Sequence, residues 1–171
     1  MNADELRAIQ APIKQRYRDD PQAAWFTVGA EGQLGEGISC KVDTARGRVD
    51  AGLHPVAGGS GLQACSGDML MEALVACAGV TMRAVAISLG IELREGSKVR
   101  AEGDIDSRGT LGIAKDAPVG FQRIRLSFEL DTDASAEQLA TLVKLTERYC
   151  VIFQTLAHPP QLTVAHRVAA A

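Results

Sequence analysis

Residues 69–89 read MLMEALVACAGVTMRAVAISL. The run is apolar nearly all the way round and about 20 residues long, which is the length that crosses a bilayer. It carries Glu72 and Arg83, which fall almost on one helical face, with Gly79 on the same stripe. A narrow edge with two charges fits a buried helix of a water-soluble protein better than a membrane span, so no membrane association is expected. Ahead of this helix, residues 55–67 (PVAGGSGLQACSG) are rich in Gly and carry a Pro, which reads as a loop. After it, Val99/Ala101/Gly103/Ile105 and Ile124/Leu126/Phe128/Leu130 alternate as two strands. The second alternates against Arg125, Ser127 and Glu129, with one face in core and one in water.

Further out, the chain opens on an amphipathic helix over 4–17 with Leu6, Ile9, Ile13 and Tyr17 at helical spacing and a kink expected at Pro12. Short alternating runs follow at Phe26/Val28/Ala30, Ile38/Cys40/Val42 and Val49/Ala51, with a turn at residues 44–47. Ser135 and Gln138 form a capping-box signature for a second long helix. Its apolar stripe is Leu139, Leu142, Val143, Tyr149, Cys150, Phe153 and Leu156, and Pro159-Pro160 stops it before a last strand at Leu162/Val164. Short links between strands predict antiparallel pairing and an α+β class, with helices packed on one face of a sheet.

The 171 residues are one domain's worth: 46 % hydrophobic, 23 % charged, with one Trp, two Tyr and four Phe. A core built mainly from Ala, Val, Leu and Ile is thin for an isolated chain and motivates a dimer. The formal charge of −3 offers no basic field for a phosphate backbone, so nucleic acid is not an expected partner. Residues 1–5, MNADE, lack a basic stretch followed by an apolar one, so no signal peptide is expected. Cysteines at 40, 65, 77 and 150 form no CxxC or zinc spacing, and the default setting is a reduced, cytoplasmic one.

Each cysteine has a packing role as its default. Cys77 lies in the most apolar helix and Cys150 on the stripe of the second, where free thiols pack as small hydrophobes. Packed helices lie about 8–10 Å apart, so these two thiols could also meet as a redox pair after modest movement. Cys40 reads as strand core, and Cys65, in the loop, has only a helix N-terminus near it. His54, His158 and His166 are dispersed and show no ligand spacing, so no metal or cofactor is expected. Asp68 opens the Cys77 helix as a cap or first-turn acid. Nine residues of helix, about 13 Å of rise, separate it from Cys77, so cooperation would need a bridging side chain or a second subunit.

Residues 67–77, GDMLMEALVAC, and 147–156, ERYCVIFQTL, resemble the two cysteine motifs of the OsmC/Ohr proteins (osmotically inducible protein C and organic hydroperoxide resistance protein). Residues 52–59, GLHPVAGG, look like a leader found in one OsmC-like branch. The resemblance covers roughly residues 25–168, leaving 1–24 as an N-terminal helical extension to a domain over 25–171.

The resemblance implies antiparallel sheets packed with two long central cysteine-bearing helices in an intertwined homodimer, with sites at the subunit interface. It implies a peroxidase that reduces organic hydroperoxides in oxidative-stress defence, with Cys77 peroxidatic, Cys150 resolving and an external dithiol as reductant. In Ohr-like members a Glu near the start of the first helix and an Arg hold the thiolate. Asp68 is the nearest match to that Glu, and Arg46, with Arg48 two residues on, to an Arg in the first hairpin turn. Other members take the Arg from the loop before the first cysteine helix, where His54 is the only basic group here. Val151 stands where the family often has Pro.

An Arg would stabilise both thiolate and leaving alkoxide, and an acid would orient it. Two other functions compete: a non-catalytic module that binds a small apolar molecule, and a thiol redox sensor without turnover.

Overall fold

The computed structural model describes residues 1–169. Helix α1 (Ala3–Asp19) opens on a capping box between Asn2 and Glu5 and continues through Pro12. None of its residues is buried. A 3-10 turn at Pro21–Ala24 follows, and then β1 (Glu31–Leu34), β2 (Ser39–Thr44), β3 (Gly47–Gly52) and β4 (Ala64–Cys65) form one sheet in that order. The first three strands pair antiparallel as expected, with Cys40 between Leu34 and Ala51. The two residues of β4 pair parallel to β3, a pairing that residues 53–63 make possible by carrying the chain back across the sheet.

Helix α2 (Ser66–Leu89) is followed by β5 (Lys98–Ile105), the single turn α3 (Ser107–Thr110) and β6 (Phe121–Glu129). Strands β5 and β6 form a second, two-stranded antiparallel sheet. Val99, Ala101, Ile124 and Leu126 turn one face of this sheet toward the core. Arg100, Glu102, Asp104, Arg123 and Arg125 line the other in charged pairs.

Although α2 is long and apolar enough to span a membrane, it packs on β5 and on the last two helices, α4 (Ala136–Tyr149) and α5 (Val151–Ala157). Its buried stripe is Leu74, Ala78, Met82 and Ala86, one residue per turn. Full burial of a side chain such as Leu74 or Met82 contributes roughly 2 kcal/mol. At Gly79 a Cβ would make only an ordinary contact, 3.6 Å from Val99 Cγ2 on β5. Arg83, on the charged edge, donates to the Leu93 carbonyl at 2.5 Å and ties the helix end to the following loop.

Four expectations change. Residues 25–30 and 160–169 are not strands, because neither segment pairs with a strand among the described residues. Trp25, Phe26, Val28, Leu34 and Ile38 are all at least 73 % exposed. The second long helix is two helices: Cys150 takes an extended conformation (φ −75°, ψ 108°) that ends α4 and starts α5. Cys150 therefore sits at a helix break, and only Cys77 lies within a long helix. Tyr149 points outward, 57 % exposed, with the Arg148 guanidinium 5.4 Å from its ring centre. Thr146 takes the buried place instead, its hydroxyl satisfied by the Leu142 carbonyl at 2.8 Å.

Candidate active site

The break at Cys150 is stabilised from both sides. The Cys150 N–H still donates to Thr146, and the Cys150 carbonyl accepts from Gln154, so each helix keeps its ladder up to the junction. The Gln154 side-chain amide donates to the Glu147 carbonyl at 2.8 Å, satisfying a helix-end acceptor that the break releases. The β-branched pair Val151-Ile152 then begins a new helix whose leading N–H groups have no carbonyl one turn back.

Those N–H groups face Cys77. Leu74, Ala78 and Cys150 form one buried cluster, and Cys77, Ile152 and Phe153 pack against it. Burial pushes the Cys77 thiol up, but N–H donors from Ile152 and Val151, the Cys150 thiol and the Thr81 hydroxyl together outweigh it. The net direction for Cys77 is down. Cys150 is fully buried, and its thiol is pushed up, first by burial and further by the neighbouring Cys77 sulfur. Both are free thiols. The pair thus divides into one sulfur disposed toward thiolate and one held as thiol, the asymmetry a nucleophile and its later partner require.

The other expected site residues lie elsewhere in the chain. Arg46 sits at the exposed turn between β2 and β3, its N–H bonded to the Thr44 hydroxyl. Arg48 pairs with Asp43 at 3.0 Å. Asp68, in the first turn of α2, lines a cleft of about 930 Å³ together with His54, Cys65 and Glu72. His54 caps the 3-10 turn at Pro55–Ala57, its Nδ1 accepting from Val56. Cys77 does not line that cleft. Within one chain, therefore, the two thiols are brought together, His54 and Asp68 share a separate cleft, and Arg46 joins neither. Every group acting on the Cys77 sulfur is neutral. Among the described residues, no group of three or more His, Cys, Asp or Glu side chains is arranged to hold a metal ion.

Thr81 and the Val151 and Ile152 amides were not among the sequence candidates. Thr81 was detectable as the hydroxyl one turn after Cys77. The amides were not, because they depend on the helix break.

A profile of OsmC-like proteins matches residues 59–165, more than half of the chain and including both thiols. The chain belongs to the OsmC-like family. No curated protein sequence matches it. Among solved structures, this OsmC-like chain is similar to an OsmC-like protein from Mycoplasma pneumoniae, with 16 % identity, 78 % of this chain and 89 % of that one covered, and a TM-score of 0.65. It is also similar to an organic hydroperoxide resistance protein from Elizabethkingia anophelis, with 16 % identity, 80 % and 91 % covered, and a TM-score of 0.64. A third is the protein from Legionella pneumophila described as an organic hydroperoxide resistance protein OsmC and predicted redox protein, with 20 % identity, 79 % and 92 % covered, and a TM-score of 0.62. At these identities the likeness establishes the shared α+β fold.

Proposed function

We propose that this OsmC-like protein is a thiol-dependent peroxidase that reduces organic hydroperoxides. The observation that carries the proposal is the contact between a thiol shifted toward thiolate, Cys77, and a buried, protonated one, Cys150. The Cys77 thiolate attacks the outer oxygen of ROOH. The O–O bond breaks, an S–O bond forms, and the alkoxide leaves and takes a proton as ROH, giving the Cys77 sulfenic acid. The Cys150 sulfur displaces the hydroxyl, forming the Cys77–Cys150 disulfide and releasing water. An external dithiol then restores both thiols by exchange and leaves as its own disulfide. Leu74, Ile152 and Phe153 around the pair suit an alkyl or aryl hydroperoxide.

The working unit we propose is an intertwined homodimer in a reduced, cytoplasmic setting. The five exposed hydrophobics of residues 25–38 and the open edges of both sheets support it, because a second copy would cover the first and pair with the second. A partner subunit could also bring Arg46 and Asp68 to Cys77, supplying the cation that a single chain lacks.

The neutral surroundings of Cys77 and the apolar lining of the 930 Å³ cleft, with Leu70, Met71, Val75 and Phe121, favour a second reading: a module that binds a small apolar molecule. Titration of the reduced protein with cumene hydroperoxide separates the two. The peroxidase reading expects loss of two thiols per chain, a Cys77–Cys150 bridge by peptide mass mapping, and turnover with dihydrolipoamide. In Cys150→Ser it expects no bridge, no sustained turnover and progressive oxygen addition at Cys77. Cys77 remaining reduced in excess peroxide would leave the binding reading.

A further inference from the structure

The cleft of about 930 Å³ that leaves Cys77 outside it is built from three parts of the chain: the N-terminal part of α2, β5 with the start of β6, and the 3-10 turn at Pro55–Ala57. Its apolar wall depends on two glycines. A Cβ at Gly103 would overlap the Phe121 ring and sit 3.3 Å from the Met71 sulfur, so glycine there lets the ring lie against β5 and meet α2. At Gly67, the tip of the same ring, the Cys65 sulfur and Ile105 Cδ1 converge, each 3.5–3.7 Å from the place a Cβ would take. With Leu70 and Val75 these groups line a concave, largely apolar space of the size that holds small molecules.

The fixed charges in this space have one sign. Asp68, Glu72 and Glu102 line it, and among the described residues no Lys or Arg does. Glu102 is held by Arg100 at 2.8 Å. Asp68 and Glu72, one turn apart on α2, make no hydrogen bond or ion pair among the described residues. His54 spends its Nδ1 on the Val56 N–H. The N-terminus of α2 would by itself favour an anion, but Asp68 in its first turn already supplies one. A carboxylate or phosphate entering the cleft would therefore meet two unpaired carboxylates, whereas a cation would satisfy both.

We infer that this cleft binds a small organic cation with an apolar body, the positive head beside Asp68 and Glu72 and the body against Met71, Val75 and Phe121. The inference rests on the binding reading of the cleft and narrows it; the thiol pair has no part in it. Both carboxylates are exposed, so water and salt screen them. The apolar walls carry most of the affinity, and each carboxylate contributes a preference of roughly a few-fold.

The test is calorimetric titration of the full chain at about pH 8, where an ordinary histidine is neutral. The probes are octyltrimethylammonium, 1-octanol and octanoate, one chain length with three head charges. The cation is expected to bind about tenfold more tightly than octanoate, with the gap closing as salt is added. Glu72→Gln should weaken the cation about threefold and leave octanol unchanged, and Glu72→Lys should remove the cation's advantage over octanoate. Cys65 reports the location: bound cation should slow its alkylation by iodoacetamide, while Cys40, which lies outside the cleft, keeps its rate.

Equal affinity for the three probes, or tighter octanoate, would overturn the cation assignment and leave the binding reading standing. Binding that leaves Cys65 alkylation unchanged would place the ligand elsewhere and overturn it too. Binding of none of the three would overturn the inference and the binding reading together, and Cys65 alkylation that slows as protein concentration rises would then assign the cleft to a second copy. None of these measurements uses peroxide, so the peroxidase reading stands or falls separately.

Discussion

Replacing Val151 by proline should remove one donor from the Cys77 sulfur while leaving the fold in place. Val151 is the first residue of α5, where proline's fixed φ suits the helix and a missing N–H costs no helix bond. Cys150 before it is already extended at ψ 108°, the conformation that a following proline demands. The Val151 side chain is 68 % exposed, so little packing is lost. The N–H itself is one of the groups that lower Cys77.

A hydrogen bond to a charged group is worth about 1.5–3 kcal/mol. Val151 acts more weakly than Ile152, which stays, so the low end applies. About 1.4 kcal/mol taken from the thiolate alone is a tenfold fall in thiolate fraction at pH values below the thiol's titration. Global stability should hold or rise by about 0.5 kcal/mol, because proline narrows the unfolded ensemble. The assay is site-resolved alkylation of Cys77 against pH, paired with urea unfolding, with Val151→Ala as the control that keeps the N–H. A Val151→Pro protein of unchanged stability whose Cys77 titrates like wild type would refute the idea that the break at Cys150 tunes the thiol through its amides.

Two further outcomes follow from the packing and the surface charges. Leu142, fully buried between α4 and the Met82–Ala86 part of α2, should cost about 3 kcal/mol as Leu142→Ala in urea unfolding, while leaving a residual folded population at low denaturant. Asp104 receives Arg125 and Arg123, and the Arg125 hydrogen bonds foremost hold its carboxyl down from 3.8 to about 2. A depressed folded value makes its contribution present above the unfolded value and lost as pH falls through the folded one. Asp104→Asn should therefore be mildly destabilising at neutral pH, with the difference closing between about pH 4 and pH 2 in acid titrations followed by circular dichroism.

Much of the fold was legible because its signals are local. The Ser135–Gln138 capping box, the antiparallel hairpin around residues 44–47 and the alternation in β5 and β6 all need only neighbours in sequence. The expectations that changed needed distant partners. Phe26/Val28/Ala30 and Leu162/Val164 alternate as strands do, yet a strand exists only where another edge pairs with it, and neither segment pairs with one among the described residues. Tyr149 and Thr146 exchanged places for a related reason. Apolar periodicity ranks Tyr above Thr for burial, but a Thr hydroxyl can be satisfied by its own helix, whereas a buried Tyr needs an outside partner.

The site was legible to the same depth. Cys77 and Cys150 were visible as thiols on apolar faces that could bring them close, and their unequal roles came only with the family resemblance; the physical cause of the inequality was not visible. The inequality arises where α4 stops at Tyr149, before the Cys150, Phe153 and Leu156 positions to which its apolar stripe would carry it. Had the helix run on, Cys150 would have met Cys77 as one more small core residue, and the Val151 and Ile152 N–H groups would have been spent on Glu147 and Arg148 carbonyls. The break frees those donors for one sulfur while burying the other completely. A thiol raised by burial is a poor nucleophile toward peroxide in bulk solvent but is correctly placed to attack a sulfenic sulfur beside it. On the peroxidase reading, the single extended residue at position 150 thus sets the order in which the two cysteines react.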